Sequence, residues 1–102
     1  MKIIRKLSEM ISEEIRDADR YAQMALNYKG ENIALSDTFF KLSQEEMNHM
    51  SMLHDQAARL IDAYRKEHGD PPTEMQAVYD YLHEKQMDEA AQVKAKQMLY
   101  RE

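Results

Sequence analysis

Three side chains that could bind a metal ion stand at helical spacing in the first half of this sequence: Glu14, Glu46 and His49. Glu46 and His49 form a Glu-x-x-His motif, whose side chains point the same way from consecutive turns of a helix. Both fall inside the apolar stripe Phe39, Leu42, Met50 and Leu53. A buried carboxylate or imidazole without a partner costs several kcal/mol, and a bound metal ion is one way to satisfy both.

The elements that must position these side chains are predicted to be three long helices. The 102 residues include only two Gly and two Pro, which favours helices and one domain over residues 1–102. Apolar periodicity predicts helices over 3–28, over 33–67 and from 74 nearly to the C-terminus. Gly30 and the turn at 70–73 separate them, with Asn32 or Ser36 capping the second helix and Thr73 the third. The predicted class is all-α, an antiparallel long-helix hairpin plus a third helix.

The short turn at Gly30 also predicts which residues of the hairpin face each other, namely those whose numbers add up to roughly sixty. The predicted pairs are Tyr21 with Phe39, Ala18 with Leu42, Leu7 with Leu53, and Glu14 with Glu46. Facing carboxylates repel each other unless they share a proton or bind a cation. Alternatively, the two glutamates lie at the edge of the stripe and reach water or pair with Arg16 or Lys41.

Composition excludes several classes of function. The formal net charge of -5 argues against binding of nucleic acid or anionic membrane. With no cysteine, the chain has no disulfide, thiolate nucleophile or iron-sulfur ligand, so any metal is bound by oxygen and nitrogen. We see no stretch typical of a signal peptide or a membrane span, which predicts a cytoplasmic protein.

The arrangement of Glu14, Tyr21, Phe39, Glu46 and His49 resembles the first helix pair of the ferritin-like superfamily, and its rubrerythrin branch above all. The resemblance covers about residues 7–60. It implies that Glu14, Glu46 and His49 bind iron in a di-iron centre, where manganese is a possible substitute. It also implies that Tyr21 is a hydrogen-bonding neighbour of these ligands, although packing in the core explains a tyrosine there equally well.

A ferritin-like bundle has four helices and takes further ligands from its second pair, whereas this sequence predicts three helices. The third carries the carboxylate-x-x-His segment Asp80 to His83, which supplies two candidate extra ligands. Folding it back about Pro71 places His83 level with about Arg59, roughly 15 Å from His49 at the helical rise. The residues expected level with His49 are Val93 and Lys94. Asp80 and His83 are therefore expected at the surface or in a second site, as are His54, His68, Glu13 and Glu45.

A second copy of the chain is the other source of the missing ligands. Two copies supply four carboxylates and two imidazoles, the ligand set of a carboxylate-bridged di-iron bundle. Encapsulated ferritins, a related family of half-length chains, are similar in this respect. The sequence thus predicts a ferritin-like four-helix bundle completed by dimerisation, a homodimer or higher homo-oligomer that binds iron. Oxidation of the bound iron, of the ferroxidase or peroxide-scavenging type, is the activity that the resemblance implies. The alternatives are a metal-free helical interaction module and, more weakly, a mononuclear or zinc hydrolase, which lacks the paired histidines of such sites.

Overall fold

The computed structural model describes residues 2–102, which form three α-helices: α1 Lys2–Tyr28, α2 Ile33–His68 and α3 Thr73–Arg101. The helices run up, down and up in a bundle of 55 × 19 × 18 Å. The 36 residues of α2 account for the long dimension at about 1.5 Å per residue. The predicted all-α class is confirmed. Each helix end that was predicted by residue number lies within one residue of the observed end. Within residues 2–102, no helix is both long and apolar enough to cross a membrane.

The turns follow from local hydrogen bonding at the helix ends. Asn32 is the N-cap of α2, as predicted, and its side chain accepts a hydrogen bond from the backbone N–H three residues later. The C-cap of α2 is Gly69, whose φ of 78° favours glycine. The prediction that Thr73 caps α3 was wrong. Pro72 is the N-cap, and its carbonyl accepts the first helical hydrogen bond from Gln76, so Thr73 is already helical.

The core follows a seven-residue spacing, which is two turns of a helix that packs in coiled-coil fashion. The buried stripe of α1 consists of Ile4, Leu7, Ile11, Ile15, Ala18, Ala22 and Ala25. The buried residues of the other helices are Ser36, Ser43 and Met50 on α2, and Gln86, Val93 and Tyr100 on α3. The expected α2 stripe was therefore only partly right: Phe39, Leu42 and Leu53 are half-buried, and Leu60 is exposed.

Two buried serine hydroxyls fix how α1 and α2 face each other. Ser36 donates to the carbonyl of Ala25 at 2.6 Å, and Ser43 donates to the carbonyl of Ala18 at 2.7 Å. The alanines let the two backbones approach closely enough for these bonds, because they present only a methyl group. Residue numbers in both pairs add up to 61, which confirms the register predicted for the hairpin.

The third helix packs mainly against α1 rather than α2. The side-chain amide of Gln86 donates to the hydroxyls of Ser8 at 3.0 Å and Ser12 at 3.1 Å. Further along, Lys96 forms an ion pair with Asp19 at 2.8 Å. These contacts determine where α3 lies along the hairpin.

This placement corrects the register predicted for α3. His83 lies beside His54, with 3.1 Å between their Nε2 atoms, and not level with Arg59. The prediction assumed that α3 pairs with α2, whereas its position is determined by its contacts with α1. The prediction was right further along, since Val93 joins the same core cluster as Met50, the neighbour of His49.

Burial predicts the effect of truncating an isoleucine. Ile15 is 1% exposed and Ile33 is 59% exposed. We expect Ile15→Ala to lower the free energy of unfolding by about 3 kcal/mol, since it removes buried carbon and leaves a cavity. The same change at Ile33 should cost about 0.5 kcal/mol or less. Urea denaturation of both variants measures the difference, and equal losses would contradict this assignment of the core.

Candidate metal centre

The two glutamates occupy places that heptad spacing otherwise fills with apolar side chains. On α1 the series at seven-residue steps is Leu7, Glu14, Tyr21 and Tyr28, and on α2 it is Phe39, Glu46 and Leu53. One step from the glutamates, the rings of Tyr21 and Phe39 stack with centroids 6.1 Å apart. The carboxylates therefore lie in a packed layer between α1 and α2, with aromatic rings on one side of them.

The predicted cluster of Glu14, Glu46 and His49 is assembled in the structure. Each residue offers a ligand atom within 4.8 Å of the others, and no other group of three His, Asp or Glu side chains in residues 2–102 does so. Nδ1 of His49 lies 3.6 Å from Oε2 of Glu14 and 3.8 Å from Oε2 of Glu46. The glutamate side chains are 25% and 20% exposed and the histidine 52%. The cluster is thus half-buried and opens to solvent at the imidazole.

One oxygen of the cluster is buried without a partner. Oε2 of Glu14 makes no hydrogen bond within the part of the chain that the structure describes. Of the predicted alternatives, a pairing of the glutamates with Arg16 or Lys41 is not seen among residues 2–102, and Arg16 instead contacts the carbonyl of Ser12 in its own helix. Both glutamates keep some contact with solvent, as the other alternative predicts. A buried acceptor of this kind is stabilised by a proton or by a cation.

This environment raises the pKa of Glu46 from 4.5 to about 7. The largest cause is the carboxyl group of Glu14, with which protonated Glu46 shares a hydrogen bond. Burial and the negative charge of Glu14 raise the pKa of Glu46 further, while His49 lowers it. Near neutral pH the pair is therefore poised between holding a proton and holding two negative charges that attract a cation.

The other predicted site residues lie outside the cluster. Tyr21 is half-buried and stacks on Phe39, and a hydrogen bond from its hydroxyl to the ligands stays a prediction. Asp80 accepts a hydrogen bond from the side chain of Gln76 at 2.8 Å. His83 meets His54, a contact that the sequence analysis missed because nothing in the sequence gave the register of α3.

Two carboxylates and one imidazole are a donor set for a first-row divalent cation. Oxygen and nitrogen ligands suit iron, manganese and zinc, and three protein ligands leave coordination positions free for further donors. The residues present therefore fit a metal ion of the kind that the resemblance implies.

Together the fold and the cluster define an all-α, three-helix chain with a Glu-Glu-His group between its first two helices. No protein-family model, no curated protein and no solved structure matches this chain.

The raised pKa of Glu46 predicts a pH-dependent stability of the metal-free protein. Between about pH 4.5 and about 7 the folded state binds more protons at Glu46 than the unfolded state. The free energy of unfolding should therefore fall as the pH rises through this window. The stabilising contribution of protonated Glu46 should be fully lost above pH 7. We expect Glu46→Gln to become more stable relative to the native chain as the pH rises. Thermal unfolding in the presence of a chelator at several pH values measures this.

The matched control is Glu45→Gln, because Glu45 is the exposed neighbour of Glu46. Its difference from the native chain should stay nearly constant over the same pH range. A Glu46→Gln difference that is equally flat would contradict the raised pKa.

Proposed function

We propose that this chain binds iron at a homodimer interface, in a non-haem di-iron carboxylate centre formed by Glu14, Glu46 and His49 of each copy. The observation that carries the proposal is the buried, unpartnered Oε2 of Glu14, set against a second carboxylate and an imidazole. A cation bound among them would satisfy the free oxygen and relieve the repulsion between the carboxylates. The protons otherwise held there would be released on binding.

The number of ligands supports a second copy. A di-iron carboxylate bundle uses four carboxylates and two imidazoles, and the observed cluster supplies half of each. A two-fold axis beside the cluster would double it without any further residue. We assign Glu46 and its symmetry mate as bridging ligands, and Glu14 and His49 as terminal ligands, by analogy with the ferritin-like superfamily.

The position of α3 supports the same arrangement, because it leaves the side of the hairpin next to the cluster uncovered. Ser12, which bonds to α3 through Gln86, and Glu14 are two residues apart on α1. At about 100° per residue they point in nearly opposite directions from the helix axis. On α1 the third helix therefore lies on the far side from Glu14, whereas on α2 it bonds to Ser43, one turn before Glu46. The side left for another chain is the one on which His49 is half-exposed.

Exposed apolar side chains lie along this open side of both helices. Met10 and Ile3 lie 4 and 11 residues before Glu14, on the same face of α1, and both are exposed. Leu35, 14 residues before His49 on α2, is exposed and shares its face. Burying such side chains against a second copy would stabilise a dimer around the shared metal centre.

The chemistry proposed for the centre is oxidation of iron(II) to iron(III), with dioxygen or peroxide accepting the electrons. This follows by analogy with the superfamily, and the donor set is compatible with it because oxygen ligands suit iron(III). The protein's part is to orient the three ligands, to hold a proton near Glu46 before the metal enters, and to limit access of water to the carboxylates.

The second candidate is a metal-free helical module that binds another protein through the same open face. The exposed apolar residues beside the cluster favour it equally, since they would suit any apolar partner. Metal analysis of the purified protein separates the two functions, because a metal-free module needs no iron.

Iron binding is tested by titrating metal-free protein with Fe(II) under anaerobic conditions. We expect about two irons per dimer, and oxidation of the bound iron when oxygen is admitted, followed by visible absorption. Glu46→Ala should abolish both, because it removes the bridging carboxylate. Glu45→Ala, a matched change at the exposed neighbouring position, should leave both intact. Full iron binding by the Glu46→Ala variant would refute the proposed centre.

Dimerisation is tested separately by introducing a charge on the open face. Met10→Lys should weaken the dimer and, since iron and dimer would stabilise each other, should also lower the affinity for iron. The control is Met98→Lys, since Met98 is 64% exposed and lies on α3. Sedimentation of both variants with and without iron gives the result. A native chain that stays monomeric while binding its full complement of iron would contradict the shared site.

A further inference from the structure

A second pair of metal-ligating side chains lies where α2 and α3 come together. Nε2 of His54 on α2 is 3.1 Å from Nε2 of His83 on α3. The ring centroids are 5.2 Å apart and the ring planes differ by 29°. The Nε2 atoms are much closer to each other than the ring centres are. The two rings therefore face each other with their Nε2 edges.

This separation is close to that of two imidazoles on one metal ion. With a metal–nitrogen bond of about 2.05 Å, two nitrogens of a tetrahedral zinc site are about 3.3 Å apart. Small rotations of the two side chains would accommodate the ion. A hydrogen bond between the rings also fits 3.1 Å, but it requires one ring to donate and the other to accept, whereas a metal takes a lone pair from each neutral ring.

The surroundings leave room for a metal ion with an open coordination sphere. Both imidazoles border a cavity of about 350 Å³ between the three helices, which is lined largely by apolar side chains such as Ile4, Ile61 and Leu82. Asp80, one turn before His83, borders it too, but its carboxylate accepts a hydrogen bond from Gln76. The protein thus offers two nitrogen donors, and the other positions face the cavity or solvent.

We propose that His54 and His83 bind a late first-row divalent transition metal ion, with Zn²⁺ as the representative ion, and so link α2 to α3. Imidazole donors suit zinc, nickel and copper, whereas the Glu-Glu-His cluster offers mainly oxygen. The two sites therefore differ in donor type as well as in place. Since α3 packs mainly against α1, a metal bridge to α2 would tie the third helix to the helix it contacts least.

The test uses Zn²⁺ alone as the probe, in a parent chain that carries Glu46→Gln and His49→Gln so that the carboxylate cluster does not compete. Calorimetry should show about one Zn²⁺ per chain, and the unfolding temperature should rise with Zn²⁺ concentration. Adding His54→Gln or His83→Gln should lower the affinity at least about tenfold, because each removes one of two protein ligands. Mg²⁺, which prefers oxygen ligands, should have no such effect.

The matched control is His68→Gln, because His68 contacts Tyr64 and Glu67 and lies outside the pair. It should bind Zn²⁺ like the parent. Imidazole NMR signals of the unsubstituted chain give a readout that does not depend on any variant folding: Zn²⁺ should shift the signals of His54 and His83. If those signals do not move, or if both variants bind Zn²⁺ as the parent does, the rings form only a hydrogen-bonded pair and the proposed site is wrong.

Discussion

The constraint on which this structure depends is the meeting of two carboxylates, Glu14 and Glu46, in the layer where α1 packs against α2. The same layer is apolar and aromatic elsewhere, as the stacked rings of Tyr21 and Phe39 show. Two like charges there would drive the helices apart unless one carboxylate holds a proton or a cation enters. The pKa of Glu46 is raised because of its hydrogen bond with Glu14, of burial and of this repulsion, so the folded chain retains a proton that an isolated glutamate would lose.

The hairpin holds the two carboxylates together through contacts on the same facing sides of the two helices. The hydroxyl of Ser43 bonds to the carbonyl of Ala18, about one turn from the glutamates, and Ser36 repeats the bond one heptad away. Each such bond contributes about 1 kcal/mol. The position of the acidic pair is thus determined by bonds between α1 and α2, and α3 adds hydrogen bonds of its own to the same two serines.

The sequence was sufficient to predict this hairpin because a short turn leaves only one register in which apolar residues meet. Placing Glu14 opposite Glu46 needed no more than the position of Gly30 and the heptad spacing around it. The third helix could not be placed in this way. The turn before it, residues 69–72, is as short as the hairpin turn, residues 29–32, but α3 packs mainly on α1 rather than on α2. Its position therefore depends on hydrogen bonds from Gln86 to two serines of α1, which no apolar pattern reveals. The contact between His54 and His83 was therefore missed although both residues had been noted.

The third helix covers the hairpin on one side only, and this asymmetry determines where a second copy would bind. One side of the hairpin is covered by α3, and the side that carries the glutamates and the half-exposed His49 is not. If a second copy covers that side, protonation of Glu46, binding of the metal ion and association with the partner chain would all involve the same side chains. A metal ion would displace the proton, and the partner would complete the coordination of the metal ion. Because coupling of binding equilibria is reciprocal, a change in pH would then alter the association of the chains, and association would alter the affinity for metal by the same free energy.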